Sequence, residues 1–353
     1  MARILIIRFS AIGDVAMTIP VVYSLATQYP QHEITVLSRK NMAPLFQRLP
    51  DNVRFMGIDL SEEYKGFSGI NRLYSQLKNL HFESVADLHN VLRTRWLCLR
   101  FALSGIPTAT ICKGRAGKRK LVRRRCKVFE VQKSSFERYA DVFDKLGLPI
   151  SLNFTSIFGE YKGDFSQIEP TVGAKVNRKW IGIAPFAKHK GKIYPLELQE
   201  RVVAHFALKP EVKVFLFGGG KEEQAVFDSW IAKYPTVTSM AGKLDMDAEL
   251  NLISHLDVML TMDSANMHLA SLVNTPAVSV WGATHPFAGF MGWKQLPANA
   301  VQVDLSCRPC SVFGQKPCFR GDYACLYGIK PGQIIEKIER VCNEKVNLNC
   351  VKD

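Results

Sequence analysis

Short apolar runs alternate with amphipathic segments along the first half of the chain. Residues 14–29 carry apolar side chains at positions 15, 19, 22 and 25, which is the spacing of one helix face and predicts a helix. Pro20 lies inside this segment and removes a backbone donor, so we expect an irregular or kinked first turn. The remaining runs are short and β-rich, and they predict strands at residues 4–9, 34–38, 84–88 and 108–112.

The same alternation restarts after residues 159–177, which have little periodicity and are interpreted as an interdomain linker. Helices are predicted at residues 196–206 and 221–234, and the apolar positions 334, 335, 338 and 341 mark a terminal helix. The strands predicted in this half lie at residues 180–184, 213–217, 257–262 and 277–281.

Strand–helix–strand order in both halves favours parallel sheets with helices on their faces. We therefore predict an α/β protein with two Rossmann-like domains at residues 1–165 and 178–330, followed by a helix and tail at 331–353. Because such folds bind ligands beyond the carboxyl ends of their strands, the ligand is expected in a central cleft that both domains face.

Composition narrows the class of protein. Hydrophobic residues make up 47% and charged residues 22% of 353 residues, which is typical of a globular protein with two sizeable cores. We predict no membrane span, since no run of about 18 apolar residues occurs. The first residues look like a strand rather than a signal peptide, so the nine cysteines are expected to be mostly reduced in the cytoplasm. A net charge of +14 attracts polyanions, namely nucleic acid, nucleotide phosphates or an anionic membrane face.

The turn after the first predicted strand combines Gly13 with Asp14. A glycine at this point lets the backbone approach a ligand closely. Asp14 is a candidate general base that takes the proton from an attacking hydroxyl group. Its alternative role is to cap the helix, for which aspartate is a preferred residue. The glycine register of a dinucleotide fingerprint is missing, which disfavours a nicotinamide oxidoreductase.

Small and polar residues follow the strand predicted at 257–262 and open the next helix. The free backbone amides and the dipole of a helix start favour a phosphate group, and Ser264 adds a hydroxyl donor. His268 lies one turn further along, on the side that could face the same phosphate. The alternative is capping by Asp263 or Ser264 with a buried, hydrogen-bonded histidine, and the residues alone leave both interpretations open.

Two more loops of the second half carry candidates at predicted strand ends. One holds three lysines, of which the last is the best candidate for neutralising a leaving diphosphate and the first two are interpreted as solvated: Lys188, Lys190 and Lys192. The other loop begins with three glycines at 218–220, which permit close approach of a nucleotide. Glu222 beyond them could accept hydrogen bonds from ribose hydroxyls, or simply favour the positive end of the helix.

Most of the chain resembles glycosyltransferase family 9, the ADP-heptose:lipopolysaccharide heptosyltransferases, and four motifs are the most specific parts of this resemblance. They are SAIGD at 10–14, DLHNVLR at 87–93, KIYP at 192–195 and MDSANMHLASLVNTPAVSVWGAT at 262–284. The last is the most specific because of its length. The resemblance implies a GT-B fold and an inverting sugar transfer without a cofactor or an essential metal, and it favours Asp14 as the catalytic base over a mere cap.

For the donor, the resemblance implies a nucleotide-sugar site, with ADP-heptose as the expected ligand. Lys192 matches the lysine placed on the diphosphate, and Glu222 matches an acid that contacts the ribose. Asp263 matches the residue near the hydroxyls of the donor sugar, and Leu244 falls near the adenine pocket. Gly13 of the first turn is also expected on the donor side. The remaining matches belong to the diphosphate-binding helix start and a donor-facing loop, and they are Ser264, Ala265, His268 and Thr284.

Three positions depart from the family pattern. Ala265 stands where glycine is usual, Ala283 replaces a common proline, and His285 occupies a position that is often acidic or small and polar. These departures bear on the identity of the donor sugar more than on the reaction class.

For the acceptor, the resemblance implies an anionic lipid-linked core oligosaccharide at the inner membrane face, and hence a cytoplasmic enzyme with peripheral membrane contact. Residues 113–127 hold nine basic side chains in fifteen positions and suit the phosphates and carboxylates of that acceptor and anionic lipids. A solvated loop is the alternative. Nucleic acid is not an expected partner, since the segment lacks aromatic residues for base stacking. The acceptor candidates are Arg93, Arg123, Arg124 and Arg125.

Four cysteines form a zinc-like pattern, Cys307, Cys310, Cys318 and Cys325. Tetrahedral zinc sites often use a CxxC pair with two later ligands, but here the second pair is not CxxC. Reduced loop thiols are therefore the main interpretation and zinc the alternative.

Two other functions fit parts of the pattern. A nucleotide-sugar epimerase or hydrolase of the same fold would convert the donor without any acceptor. A nucleic-acid-binding protein is suggested only by the charge, and it would show salt-sensitive binding to DNA or RNA.

Overall fold

The computed structural model describes residues 1–349, with side chains as far as Glu344, so the last four residues of the helix and tail predicted at 331–353 lie outside the described residues. By its contacts the chain divides into two units. The first comprises Met1–Gly114 and Lys133–Ile157, and the second comprises Arg115–Gln132 and the chain from Phe158 onward.

Strands and helices alternate along the chain. The strands are β1 (Arg3–Ile7), β2 (Glu33–Arg39), β3 (Val53–Ile58), β4 (Ser84–Asp87), β5 (Thr108–Thr110), β6 (Lys179–Ala184), β7 (Val212–Leu216), β8 (Val237–Ser239), β9 (Val258–Met262), β10 (Ala277–Val280) and β11 (Ala300–Val301). The helices are α1 (Ile12–Ala16), α2 (Ile19–Gln28), α3 (Gly66–Lys78), α4 (Leu92–Leu103), α5 (Arg115–Leu121), α6 (Ser135–Asp144), α7 (Glu169–Val172), α8 (Leu196–Ala207), α9 (Lys221–Lys233), α10 (Met246–His255), α11 (Ala265–Leu272), α12 (Ala324–Tyr327) and α13 (Pro331–Asn349).

Each unit is built on one parallel sheet. The strand order is β3-β2-β1-β4-β5 in the first unit and β11-β10-β9-β6-β7-β8 in the second, and the paired strands run parallel in both. The predicted α/β class with two Rossmann-like parallel sheets is therefore confirmed. In such sheets the turns after neighbouring strands gather at one edge, which is where the candidate residues lie.

The two cores are separate apolar clusters. Leu5 and Ile7 of β1 pack with Leu97 and Phe101 of α4 in the first unit. In the second, apolar residues of β6, β7 and β9 pack with α8 and α13. The terminal helix that the apolar spacing predicts is therefore part of this core.

The segment predicted as one helix at 14–29 forms two helices, α1 and α2. The chain breaks at Met17 and Thr18, and the Thr18 hydroxyl donates to the carbonyl of Val15 at 2.7 Å. Pro20 then occupies the first turn of α2, where no backbone donor is needed. The expected irregularity is thus a full break between two helices.

Residues 115–132 group with the second unit, whereas the sequence interpretation placed them in the first domain. Lys127 Nζ donates to the carbonyls of Arg308 and Pro309, and the Gln132 amide donates to the carbonyl of Phe287 at 2.9 Å. These contacts join residues far apart in sequence, so no local pattern indicates them. The domain boundaries given above stay a prediction.

Within residues 1–349, no helix is both long enough and apolar enough to cross a bilayer.

Candidate functional site

Asp14 lies in the first turn of α1, the helix that follows β1. Its Oδ2 accepts a hydrogen bond from the Ala11 amide at 3.2 Å and pairs with Arg8 Nη2 at 2.8 Å. Asp14 therefore closes the helix start from its third position, while Ala11 occupies the cap position itself. Both contacts fall on Oδ2, and the described residues offer Oδ1 no partner. The side chain is 36% exposed, so Oδ1 is open to a ligand.

Arg8 is a site residue that the sequence interpretation missed. Its side chain is 7% exposed, and Nη1 donates to the carbonyl of Leu88 at 2.7 Å while Nη2 pairs with Asp14. The guanidinium lies 6.0 Å from the ring centre of Tyr139, whose hydroxyl donates to the backbone carbonyl of Asp14. Arg8 thus ties the ends of β1 and β4 to α1. The available signal was a charge immediately after an apolar strand.

Asp87 organises the loop of the DLHNVLR motif. It is fully buried, and its Oδ1 accepts from the amides of His89 and Asn90 at 2.8 Å each. Its Oδ2 accepts from the Thr94 hydroxyl at 2.9 Å, which links the loop to the first turn of α4. Burial raises the pKa of Asp87, against the effect of these hydrogen bonds. The aspartate therefore has a structural role, and Arg93 is left exposed at the start of α4.

His89 is neutral in this setting. Its Nδ1 accepts from the Phe9 amide at 3.4 Å. Burial, followed by the charges of Arg8 and Lys113, lowers the pKa of His89 to about 3. The imidazole therefore adds no positive charge near Asp14 at neutral pH.

Lys192 and Asp263 form a nearly buried ion pair in the second unit. Lys192 Nζ lies 2.8 Å from Asp263 Oδ2, and the two side chains are 16% and 4% exposed. Lys192 belongs to the loop after β6 and Asp263 follows β9, and these strands are neighbours in the sheet. The topology thus joins two candidates that are 71 positions apart. Lys188 and Lys190 of the same loop are exposed.

The start of α11 carries no side-chain cap. Ser264 occupies the cap position in an extended conformation, and its hydroxyl lies 3.1 Å from the Thr261 hydroxyl instead of bonding a first-turn amide. Ser264 and Ala265 are half-buried, and His268 is buried one turn further along. The capping alternative for Ser264 is therefore wrong, and first-turn amides of α11 are left for another acceptor.

The glutamates after β7 have different surroundings. Glu223 Oε2 accepts from the Gly219 amide at 2.7 Å, so it satisfies the glycine loop at the start of α9. Glu222 is exposed. Leu244 is half-buried in the turn that precedes α10.

Thr284 is buried, and its hydroxyl has no hydrogen-bond partner within the described part of the chain. Arg308, which the sequence interpretation also missed, holds the loop that contains Thr284. Its guanidinium is buried and donates to the carbonyls of Gly282 at 2.6 Å, Trp281 at 2.9 Å and Thr284 at 3.0 Å. The Ala283 amide in turn donates to the carbonyl of Gly191 at 2.8 Å, next to Lys192. Arg308 therefore supports the loops around the ion pair.

The acceptor candidates on the basic segment, Arg123, Arg124 and Arg125, are exposed. The Arg124 guanidinium lies 3.9 Å from the ring centre of Phe319, within the second unit.

The four loop cysteines are free thiols. Burial raises the pKa of Cys310, and it raises that of Cys325 to about 11, so both are protonated at neutral pH. Among the residues that the structure describes, no three His, Cys, Asp or Glu side chains are grouped closely enough to hold a metal ion. The described geometry therefore does not support the zinc alternative for Cys307, Cys310, Cys318 and Cys325.

Comparison with known proteins gives concordant results. Lipopolysaccharide core heptosyltransferase OpsX of Haemophilus influenzae is 26% identical over 297 residues, which cover 80% of this chain and 79% of that protein. Lipopolysaccharide heptosyltransferase 3 of Escherichia coli K12 is 25% identical over 308 residues, with coverage of 82% and 84%. Lipooligosaccharide heptosyltransferase 2 of Campylobacter jejuni is 25% identical over 197 residues, and that match spans only 60% of the relative's length.

Among solved structures, the E. coli ADP-heptose LPS heptosyltransferase II superposes with a TM-score of 0.71 at 20% identity, covering 97% of this chain and 99% of that one. This likeness concerns the fold and confirms the predicted GT-B class. The family model described as glycosyltransferase family 9 (heptosyltransferase) matches residues 70–317, more than half of the chain. On this match, the chain belongs to glycosyltransferase family 9.

Proposed function

We propose that this chain is an inverting heptosyltransferase, which moves a heptose from ADP-heptose to an anionic lipopolysaccharide-core acceptor. The observation that carries the proposal is the family match over 70–317, which contains both the Lys192–Asp263 pair and the uncapped start of α11. In this proposal the second unit holds the donor, the first unit supplies the catalytic base, and no metal or cofactor takes part.

The donor diphosphate is assigned to the start of α11. A helix start without a side-chain cap presents backbone amides and a positive dipole to an anion. Ser264 adds a hydroxyl donor and Lys192 adds an ammonium group held by Asp263. When the bond between the anomeric carbon and the diphosphate oxygen breaks, negative charge grows on the leaving ADP, and these groups stabilise it. Asp263 also accepts from hydroxyls of the donor sugar.

The other contacts to the donor follow the family motifs. Glu222, which is exposed, accepts from the ribose, and Leu244 borders the adenine. His268 completes the phosphate-binding turn. Gly13 and Thr284 contribute to the donor side, and the buried Thr284 hydroxyl is a donor and acceptor that the described protein leaves unused.

Asp14 is assigned as the general base. The acceptor hydroxyl oxygen attacks the anomeric carbon from the face opposite the diphosphate, so the new bond has inverted configuration. Asp14 Oδ1 takes the proton of that hydroxyl, while Arg8 and the Ala11 amide hold Oδ2 in place. General-base catalysis of this kind contributes about 10²–10⁴-fold to the rate.

The acceptor is assigned to basic residues. Arg93 and the exposed Arg123–Arg125 segment would contact its phosphates or carboxylates. An acceptor of this chemistry is embedded in a membrane, so the proposal places the enzyme in the cytoplasm with peripheral contact to the inner membrane face.

The test is the substitution Asp14→Asn, assayed with ADP-heptose and a lipid-linked core acceptor. The amide can still accept from Ala11, so the helix start is retained while the base is removed. Turnover is expected to fall about 100-fold or more, with unchanged ADP-heptose affinity in a calorimetric titration. Asp51→Asn, which neutralises an exposed carboxylate of the same unit, serves as the control.

Near-normal turnover by the Asp14→Asn variant, with donor binding retained, would reject the base assignment. Incubation of the wild-type enzyme with ADP-heptose alone addresses the epimerase or hydrolase alternative. Conversion of the donor at full rate without any acceptor would contradict the transferase proposal.

A further inference from the structure

Three loops of the second unit meet at Lys192. The first follows β6 and contains Gly191 and Lys192, and the second follows β10 and contains Ala283. The third comprises residues 311–315 and is called the 311–315 loop below. None of the donor contacts proposed above comes from this third loop, although it lies directly on the stem of Lys192.

The Lys192 side chain is packed along its stem by the backbone of Gly314. An ammonium group at the end of a flexible four-carbon stem keeps one position only where the stem itself is held. A Cβ at position 314 would lie 2.7 Å from Lys192 Cγ and 3.3 Å from its Cδ and Cε. Such distances are too short for real carbon atoms, so only a glycine lets the loop lie this close to the stem.

The 311–315 loop also covers Gly191, the residue before the lysine. A Cβ at position 191 would lie 2.9 Å from the carbonyl oxygen of Gly314 and 3.0 Å from the Cβ of Ala283. Gly191 and Gly314 are both buried. The two glycines therefore allow the loops to touch through their backbones, and Lys192 is enclosed from its own backbone to its Cε atom.

Gly314 is itself held in place by hydrogen bonds. Its φ of 78° lies in the left-handed region that favours glycine. Its amide donates to the Ser311 hydroxyl oxygen at 3.0 Å, and that hydroxyl donates to Gln315 Oε1 at 2.8 Å. Ser311 is buried, so these bonds are shielded from water. The 311–315 loop is therefore a fixed support for the lysine.

Ala283 joins the other two loops through its backbone. Its carbonyl accepts from the amides of Cys310 at 3.0 Å and Ser311 at 3.2 Å, and its amide donates to the carbonyl of Gly191 at 2.8 Å. Ala283 is also a departure from the family pattern, and the proline that it replaces has no amide to donate. This chain thus makes a bond between the two loops that proline at this position would exclude.

We propose that the 311–315 loop positions Lys192 for the leaving diphosphate, with Gly314 packed on the stem of the lysine and Ala283 joining the loops around it. Gly314 has no side chain to contact the donor, so it acts through Lys192 and is a positioning residue. Misplacement of a catalytic group by about 1 Å can cost about 100-fold in rate, which is why the fit of the stem matters. The inference rests on the proposed function, because it takes Lys192 as the cation of the diphosphate site.

The first experiment compares Gly314→Ala with Gly321→Ala. Both glycines have a positive φ, 78° and 81°, so alanine strains the two backbones alike. A Cβ at 314 meets the Lys192 stem, whereas a Cβ at 321 has no neighbour within 4 Å among the described atoms. In a calorimetric titration, Gly314→Ala should weaken ADP binding about 10-fold, and Gly321→Ala should leave it unchanged. The kcat of transfer should likewise fall about 10-fold or more in the first variant only.

A double-mutant cycle with Lys192→Ala separates positioning from a general loss of structure. Alanine at 192 has no Cγ, Cδ or Cε atom that the new Cβ at 314 could displace. If Gly314 acts through Lys192, Gly314→Ala should change ADP affinity less than about 2-fold in the Lys192→Ala background. An equal loss in both backgrounds, or no loss in the wild-type background, overturns the inference.

The same titrations distinguish this inference from the proposed function. If Lys192→Ala binds ADP as tightly as the wild type, or if the wild type does not bind ADP, the diphosphate assignment fails and the inference fails with it. If Lys192→Ala weakens ADP binding and Gly314→Ala does not, the diphosphate assignment stands and the inference alone is overturned.

The second experiment tests the bond that Ala283 donates. Ala283→Pro removes the amide and should weaken ADP binding about 5-fold, the usual effect of one neutral hydrogen bond. Ala283→Gly retains the amide and should bind ADP as the wild type does. Unfolding in urea shows whether both variants are folded at the temperature of the titration. Equal ADP affinity of the folded Ala283→Pro variant and the wild type would overturn the role given to Ala283.

Discussion

His285 is a buried residue whose surroundings disfavour its charged form. Its Nδ1 accepts from the Phe287 amide at 3.1 Å, and its ring contacts Phe129 and Phe287 with centres 4.8 and 4.5 Å away. Burial, followed by the charge of Arg308, lowers the pKa of His285 to about 4. The unfolded chain takes up the proton near pH 6.5, whereas the native protein resists it until about pH 4. The stabilising effect is therefore complete above pH 6.5 and is lost as the pH falls towards 4.

The substitution His285→Asn isolates this effect. Asparagine can accept the same hydrogen bond from Phe287 but does not titrate. Between pH 7.5 and 5, wild type should lose about 2 kcal/mol more unfolding free energy than the variant in urea denaturation. The exposed His81 provides a control, since His81→Asn should leave the pH dependence as it is. Equal losses in wild type and the His285→Asn variant would show that this histidine does not titrate differently on folding.

At the same scale, the sequence predicted the side chains near strand ends better than those that hold them. Asp14 and Lys192 could be found because they lie in polar loops that follow apolar strands. Arg8 and Arg308 could not be assigned a role, since the carbonyls they bond lie 80 positions away for Arg8 and 24 to 27 for three of those of Arg308. A buried arginine is satisfied by tertiary contacts, and these are invisible in a local pattern.

Among the helices, α11 has no side-chain cap, and no cap side chain bonds its first-turn amides. In the same unit, Asp245 shows the usual arrangement, in which its carboxylate accepts from the Ala248 amide at 2.9 Å and caps α10. Ser264 has the extended backbone that such a cap requires but leaves the amides of α11 unbonded by its side chain. The difference is expected if the α11 amides bind the donor diphosphate.

Ser264→Asp tests this directly. The new carboxylate can cap α11, which is worth about 1 kcal/mol, so the unfolding midpoint without ligand should not fall. It also occupies the amides and repels a diphosphate, so ADP binding should weaken about 10-fold or more in a calorimetric titration. Ser229→Asp places the same charge on the exposed face of α9 and should leave ADP affinity unchanged. Unchanged ADP affinity in the Ser264→Asp variant would place the diphosphate elsewhere.

The strands and helices themselves were predictable where burial is complete. The apolar run of β9 is buried throughout, and it was predicted to within one residue. By contrast β3 was missed, because most of its residues are only half-buried at the sheet edge and its pattern is mixed. The full break between α1 and α2 could not be predicted either, since the apolar spacing continues across it.

At the scale of the whole molecule, the basic side chains behind the net charge of +14 have different roles. Within the basic segment, Lys118 is buried over the ring of Phe290 at 3.9 Å, and Lys127 donates to three backbone carbonyls. These two lysines anchor the segment on the second unit. The basic residues between them, including Arg123–Arg125, are exposed, so their charge can act on a partner while the two lysines hold the segment in place.

Replacing Arg123–Arg125 by serine therefore tests the role of this charge without loosening the anchors. Exposed ion pairs contribute about 0.2–1 kcal/mol each, so the acceptor KM should rise about 5-fold at low salt, with donor affinity unchanged. Added salt should narrow the difference from wild type, because screening weakens the same contacts. A variant with serine at the exposed and scattered positions Arg178, Arg201 and Lys330 removes equal charge and should retain the wild-type KM. If both triple variants raise the KM equally, the acceptor responds to overall charge and not to this segment, and an unchanged KM in the first variant removes the segment from the acceptor site.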